Sequence, residues 1–435
     1  MLMRLTAAPE RILRTRTSRR QFLLGTVSLP LAGAAHAAVP STLAGSIEQA
    51  HAKLWRERID PYGVILDYVG ELPTPKDCAE GRPNAIGWWS PIENGPMFTG
   101  LYLPAICERA RRSGQQADRE KARRLAQGLI KCASVSDVPG FIARGVGTDG
   151  QCHYPLTSDD QTHPWFYGLS VYLRSGIAPE PERRQVIAKM TEVGNALQGY
   201  GWRPPCEGAF KGQFRGDFKG HLFRDAVRYL HMLRTMHAVT NDPVWLTRYR
   251  TVLAERPPHS TMTRIELCAQ GYPQDRPAIR NIDSTQLWIY IGCQASLAEL
   301  IRMESDPALS ASYRKGLAVN AAGARAAIDA YRQFDNNDTK LFGNADWRAV
   351  YSAAWFPQKT QAEAEKLSEM GDPVKMGERK AYERLYMRNP LAGAVLMALA
   401  KAPEDRKTIE SVIRHYDYDR LNMSEYFFAE CAFYA

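Results

Sequence analysis

Residues 149–176 read DGQCHYPLTSDDQTHPWFYGLSVYLRSG, and the two halves follow different rules. The first half is a polar, glycine-containing loop crowded with His153, Tyr154, Asp159, Asp160 and His163. In the second half Trp165, Phe166, Leu169 and Tyr172 recur at helical spacing on one face. Proline costs nothing in a helix's first turn, so Pro164 is expected at or near the first helical position, with Thr162 or His163 as the cap. Two carboxylates and a histidine then stand just ahead of a helix N-terminus, where free backbone N–H groups and the macrodipole favour an ionised carboxylate. An acidic pair so placed suits a base, a nucleophile or a contact to a cation.

The same helical periodicity runs outward in both directions. Amphipathic segments are expected near 44–57, 96–112, 117–133, 163–175, 180–199, 220–239, 243–255, 284–304, 308–333, 345–356, 361–370, 390–401 and 405–415, with no run of β-branched alternation between them. Many come in pairs, an apolar helix followed after a short turn by a more charged one. The loops between pairs, at 134–162, 200–219 and 256–282, are long and rich in Gly, Pro and aromatic residues, so they are more than connectors. No linker breaks the composition, and residues 38–435 read as one all-α domain.

Hairpins repeated around a closed ring would put apolar helices inside, charged ones outside and the long loops at one end. The starts of the inner helices would then converge on one cleft. Three starts share a form: Glu93-Asn94-Gly95-Pro96 with Phe98, Asp159 to Pro164 with Trp165, and Asp283-Ser284-Thr285-Gln286 with Trp288. Carboxylates beside aromatic rings suit a glycan cleft, because sugars present apolar C–H faces together with many hydroxyls.

The first 37 residues read as a targeting segment. Ser18-Arg19-Arg20-Gln21-Phe22-Leu23 precedes an apolar run to Ala35 and a small-x-small site at Ala35-His36-Ala37. This resembles a twin-arginine export signal, with Leu24 where Lys is common. The run is too short for a membrane anchor and holds Gly25 and Pro30. A mature product, periplasmic or secreted, without a membrane span is therefore expected, with the twin-arginine translocase as its partner during export. The segment carries six arginines against one acid, so its removal takes the formal charge from +9 to +4. That leaves no case for nucleic-acid binding. The eight cysteines form no CxxC pair, which argues against a zinc ribbon or a dithiol redox motif. Cys107, Cys132 and Cys293 read as small core residues, whereas Cys78, Cys152, Cys206 and Cys268 lie in loops and are free to pair after export.

Paired helices, the ENGPMFTGLYL start, the VPGFIARG turn and the DDQTHPWFYGLSVYLRSG segment together resemble the six-hairpin, (α/α)6-toroid carbohydrate-active enzymes. That superfamily includes unsaturated glucuronyl hydrolases and the toroid domains of several polysaccharide lyases. The resemblance implies a carbohydrate substrate, one containing uronic acid, and no cofactor. For a hydrolase, one acid among Glu93, Asp159 and Asp160 would protonate the leaving oxygen or enol ether and another would activate water. For a lyase, His153, Tyr154 or His163 would remove the proton beside the uronate carboxylate, which Arg224 or Arg228 would neutralise. A non-catalytic periplasmic glycan-binding protein is the alternative of a different class.

Each candidate has a plainer role. Asp159 and Asp160 can cap a helix, and Asp283 with Gln286 makes a capping-box-like start. Asn94 can cap without Glu93, and His153-Tyr154 can be a loop pair. His221, Asp225 and Arg228 share a helix face beside Arg224. They are either a salt-bridged stripe or a clamp for a substrate carboxylate, which arginine binds with two N–H groups. HxxxD supplies only two metal ligands, so no metal site is expected. Trp347, Arg348, Tyr351 and Trp355 read as core before sugar platform, and no P-loop, dinucleotide fingerprint or GxSxG elbow occurs.

Overall fold

In the computed structural model, residues 40–275, 286–371, 375 and 377–435 are described. Among them there is no β-strand, only three isolated bridge pairs. The helices are α1 (Leu43–Glu57), α2 (Pro75–Glu80), α3 (Gly95–Ser113), α4 (Gln116–Cys132), α5 (Asp159–Arg174), α6 (Glu180–Gly199), α7 (Phe223–Thr240), α8 (Pro243–Leu253) and α9 (Arg264–Gln270). They continue as α10 (Ile291–Met303), α11 (Pro307–Arg325), α12 (Trp347–Tyr351), α13 (Gln361–Glu369), α14 (Arg379–Glu383), α15 (Asn389–Ala400), α16 (Arg406–His415) and α17 (Phe428–Tyr434). A π-helical turn, Arg384–Arg388, joins α14 to α15.

Six helices pack in a circuit: α3 on α5, α5 on α7, α7 on α10, α10 on α15, α15 on α17, and α17 back on α3. A second layer lies against them. α4 packs on α3 and α5, α6 on α5 and α7, α8 on α7, α11 on α10 and α15, α16 on α15, and α1 on α16 and α17. Composition explains who goes where. In α15 every residue from Asn389 to Met397 is buried, whereas α16 buries only Val412 and Ile413. A helix apolar on all sides must sit inside, and one with a narrow apolar stripe needs only one wall. Each fully buried Leu or Phe contributes about 1.5–3 kcal/mol through the area it takes from water.

Helices α3 and α5 approach closely, and two glycines allow it. A Cβ on Gly100 would lie 2.1 Å from the Pro164 carbonyl oxygen, and one on Gly168 would lie 2.6 Å from that of Gly100. The backbones therefore touch directly. Their starts are stitched together by Gln161, which donates to Asn94 Oδ1 at 3.3 Å and accepts from the Met97 N–H at 3.2 Å.

The pairing of helices is as expected; several boundaries are not. α5 begins at Asp159, with Ser158 in extended backbone ahead of it, so neither Thr162 nor His163 is the cap and Pro164 lies within the helix. Asp159 and Asp160 thus occupy the first turn rather than the preceding loop. Two carboxylates there gain from the open N–H groups, and this offsets the one hydrogen bond that Pro164 cannot make. Helix α7 starts at Phe223, which leaves His221 outside it. Helices α2, α9, α14 and α17 had no periodic signal long enough to reveal them. Residues 1–37 and Asp283 lie outside the described residues. Among those described, no helix is long and apolar enough to cross a membrane.

Candidate functional site

A cavity of about 640 Å³ opens where α3, α5 and α7 begin and where the chain enters α10 and α15. Its wall includes the acids Glu93, Asp159, Asp160 and Glu365, the arginines Arg144, Arg215, Arg224, Arg384 and Arg388, and the rings of Trp88, Trp89 and Trp288.

Asp159 and Asp160 share one arginine. Arg228, 2% exposed, donates to Asp159 Oδ2 at 2.8 Å and to Asp160 Oδ1 at 2.6 Å. The two carboxyls part company electrostatically. Burial, then the neighbouring Asp160 charge, push Asp159 up. Burial also acts on Asp160, but Arg228 and Arg224 outweigh it and hold this carboxyl below the usual range. Asp160 is therefore an ionised group at neutral pH, and its side chain is 34% exposed. This splitting of paired acids is how one fold separates acid and base roles.

Glu93 stands at the start of α3. Its Oε2 accepts the Trp89 N–H at 2.8 Å, and Trp89 adopts a left-handed backbone, φ 73°, which is strained for any residue with a Cβ. Arg144, fully enclosed, donates to the carbonyls of Glu93 at 2.9 Å and Leu156 at 3.2 Å and to the Ser158 hydroxyl at 3.1 Å, fixing both acid-bearing loops. Beneath Glu93 lie two buried acids that sequence reasoning missed. Asp67 accepts both the backbone and amide N–H groups of Asn94, at 2.8 and 2.7 Å. Burial, then repulsion from Glu93 and Glu425, push Asp67 well up, and burial likewise raises Glu425. Burial weighs against the local cations too: Lys380 falls well below its ordinary value, Arg388 to about 9 and Arg144 to about 10. Both arginines stay charged at neutral pH. In the cavity wall five arginines face four carboxyl groups, one of which, Asp159, is pushed toward neutrality, so positive charge is in excess.

Each tryptophan has a cation on it. Arg215 lies 5.1 Å from the Trp88 ring centre, Arg384 5.1 Å and Lys380 3.9 Å from that of Trp89, and Arg388 4.6 Å from that of Trp288. Stacking fixes a planar guanidinium while leaving its N–H edge available.

The remaining sequence candidates are dispersed. Trp165 is not a sugar platform: it is fully buried and its indole N–H is committed to the Leu129 carbonyl at 2.8 Å, because the α5 start places it between helices. His163 is fully buried, bonded to Ser296 at 2.8 Å and held well below its ordinary pKa by burial. Tyr154 is equally buried, its hydroxyl donating to the Arg82 carbonyl. His153 lines a separate cavity of about 350 Å³, paired with Glu207 at 2.6 Å. His221 faces the His259 ring, 6.2 Å away, and does not line the acid cavity. Trp347 is core, as read. The missed cavity residues had some signal: Trp88-Trp89 stands four residues before Glu93, and Arg384 and Arg388 are spaced i, i+4.

No group of three or more His, Cys, Asp or Glu side chains among the described residues has metal-holding geometry. No protein-family model, curated protein or solved structure matches this chain.

Proposed function

We propose that this protein is an exported glycoside hydrolase of the (α/α)6-toroid type, acting on uronic-acid-containing oligo- or polysaccharides, with residues 1–37 as its twin-arginine signal. The closed circuit of six inner helices, each backed by an outer one, supports the toroid. The observation that carries the activity is the cavity itself, where the ionised Asp160 stands with Glu93 among Trp88, Trp89 and Trp288. Asp160 is assigned as the carboxylate that takes a proton from water, with Arg228 orienting it. Glu93 is assigned as the acid that protonates the leaving oxygen. It is buried at the start of α3, with Oε2 held by the Trp89 N–H at 2.8 Å and the Trp88 and Trp89 rings in the same cavity wall. The tryptophan rings offer apolar surface to sugar faces, and the cationic excess suits a uronate. The lyase alternative fares worse, since Tyr154 and His163 are enclosed and His153 lines the other cavity. A screen against acidic and neutral polysaccharides and unsaturated oligosaccharides, following reducing ends and double-bond absorbance together, tests the reading. New reducing ends without rising absorbance are expected; rising absorbance would mean elimination, and silence in both channels would leave a binding protein.

A further inference from the structure

The arginines of the cavity are not equivalent. Arg144 is saturated by two carbonyls and a hydroxyl, Arg215 is engaged by Glu365 at 2.7 Å, and Arg228 by the two aspartates. Arg224 and Arg384 are different. The guanidinium of Arg224 makes no hydrogen bond among the described residues, its nearest carboxylate being Asp225 at 3.7 Å, and its Nε is buried without an acceptor. Arg384 has neither a hydrogen bond nor an ion pair there; it lies over the Trp89 ring in the field of Glu425, and its Nε is likewise buried without an acceptor. Both line the cavity. Arg224 stands in the first turn of α7, in the field of Asp159 and Asp160; Arg384 stands in the π-helical turn, over the tryptophan whose N–H holds Glu93. One open guanidinium thus accompanies each of the two acids assigned to the reaction.

We infer that the cavity takes a polyanionic glycan with an anionic substituent, carboxylate or sulfate, on each of the two sugar units flanking the bond that is broken, one bound by Arg224 and the other by Arg384. This rests on the hydrolase reading and deepens it. A chain charged on one unit only would leave one half-buried guanidinium, with its enclosed Nε, without an acceptor, which is costly, whereas a chain charged on both satisfies the two.

The test is equilibrium binding of the wild-type protein to disaccharides linked through sulfur, which resist cleavage: neutral, singly charged on either unit, and doubly charged with carboxylates or with sulfates. The doubly charged compounds are expected to bind at least about tenfold tighter than either singly charged one, with affinity falling as salt rises. Arg224→Gln and Arg384→Gln should each lose about tenfold toward the doubly charged ligand, Arg384→Lys should recover part of that loss, and each Gln variant should leave one of the two singly charged ligands unaffected. The carboxylate and sulfate arms identify which anion is preferred. Equal affinity for singly and doubly charged ligands, or unchanged affinity in both folded Gln variants, overturns the inference while the glycan reading stands. If the folded protein binds none of the disaccharides, the hydrolase reading fails first and takes this inference with it.

Discussion

Replacing Arg228 by Met tests the electrostatic account of the acid pair. The side chain is 2% exposed and holds two carboxylates, of which Asp159 is 12% and Asp160 34% exposed. Removing one partner of a buried ion pair costs about 3–5 kcal/mol, and the partial exposure of Asp160 places this case at the lower end, about 3 kcal/mol at neutral pH. The pH dependence is the sharper prediction. In the wild type Asp160 is held low, so its contribution is present above the unfolded-state value of about 3.9 and is lost only as pH falls through its depressed value. In the variant, burial and mutual repulsion act on both aspartates with Arg228 gone, and both titrate above the unfolded value. The folded variant then binds protons that the unfolded chain releases, so its stability falls as pH rises from about 4, by up to about 1.4 kcal/mol per pH unit for each proton. Urea unfolding of both proteins at pH 5 and pH 8 measures this. The gap should be larger at pH 8, and Asp159→Asn with Asp160→Asn in the Met background should close most of it. A gap that is the same at both pH values, or under about 1 kcal/mol, would refute the assignment of Arg228 as the charge that separates the pair.

Asp160→Asn should lower kcat on a cleavable glycan by roughly 10²–10⁴ while leaving binding nearly intact, read by release of reducing ends. Burial pushes His231 down to about 4, so the folded chain refuses a proton that the unfolded chain accepts; stability is lost as pH falls below about 6.5, by about 3 kcal/mol at pH 4, and His231→Gln should remove that share of the acid limb in a urea series. Gly100→Ala forces a methyl group into the Pro164 carbonyl and should destabilise by about 1–3 kcal/mol or more, seen as a drop in thermal midpoint well beyond that of an Ala substitution at Gly199, where nothing lies within 4 Å. Of the eight cysteines only Cys152 is not buried, so a colorimetric thiol reagent should modify one thiol in the native protein and eight after denaturation.

The helical architecture was readable because its signal is local. Trp165, Phe166, Leu169 and Tyr172 declare one buried face within three turns, and the alternation of apolar with charged helices declares which lies inside. The acids Glu93, Asp159 and Asp160 were readable for a related reason, since each precedes or opens an apolar helix and such starts converge when hairpins pack side by side. What sequence could not show is depth. Trp165 and Trp288 look alike on paper, yet one is sealed between helices and the other borders the cavity, because α5 starts at 159 and α10 only at 291, after a 3-10 turn. Nor could it show that Arg384 and Arg388 reach the same cavity as Asp160, 224 and 228 residues earlier in the chain. Their turn carries no apolar period, and only tertiary packing brings it there.

The circuit of helices closes through contacts unlike those that build the rest of it. Where α10 meets α15, Gln294 donates to the Leu396 carbonyl across 102 positions, but the joint between α17 and its partners pairs His51 with Glu430 at 3.0 Å across 379 positions, and Tyr102 donates to the same carboxylate. Closing so long a loop costs chain entropy before any contact repays it. The His51–Glu430–Tyr102 contact is thus a latch between early and late helices of the described residues, in the same circuit whose helix starts hold the acids. Loosening Glu430 would loosen the circuit at the joint that spans the most sequence. A residue that shares no loop and no helix with any group lining the cavity thus helps hold the circuit whose helix starts form its wall.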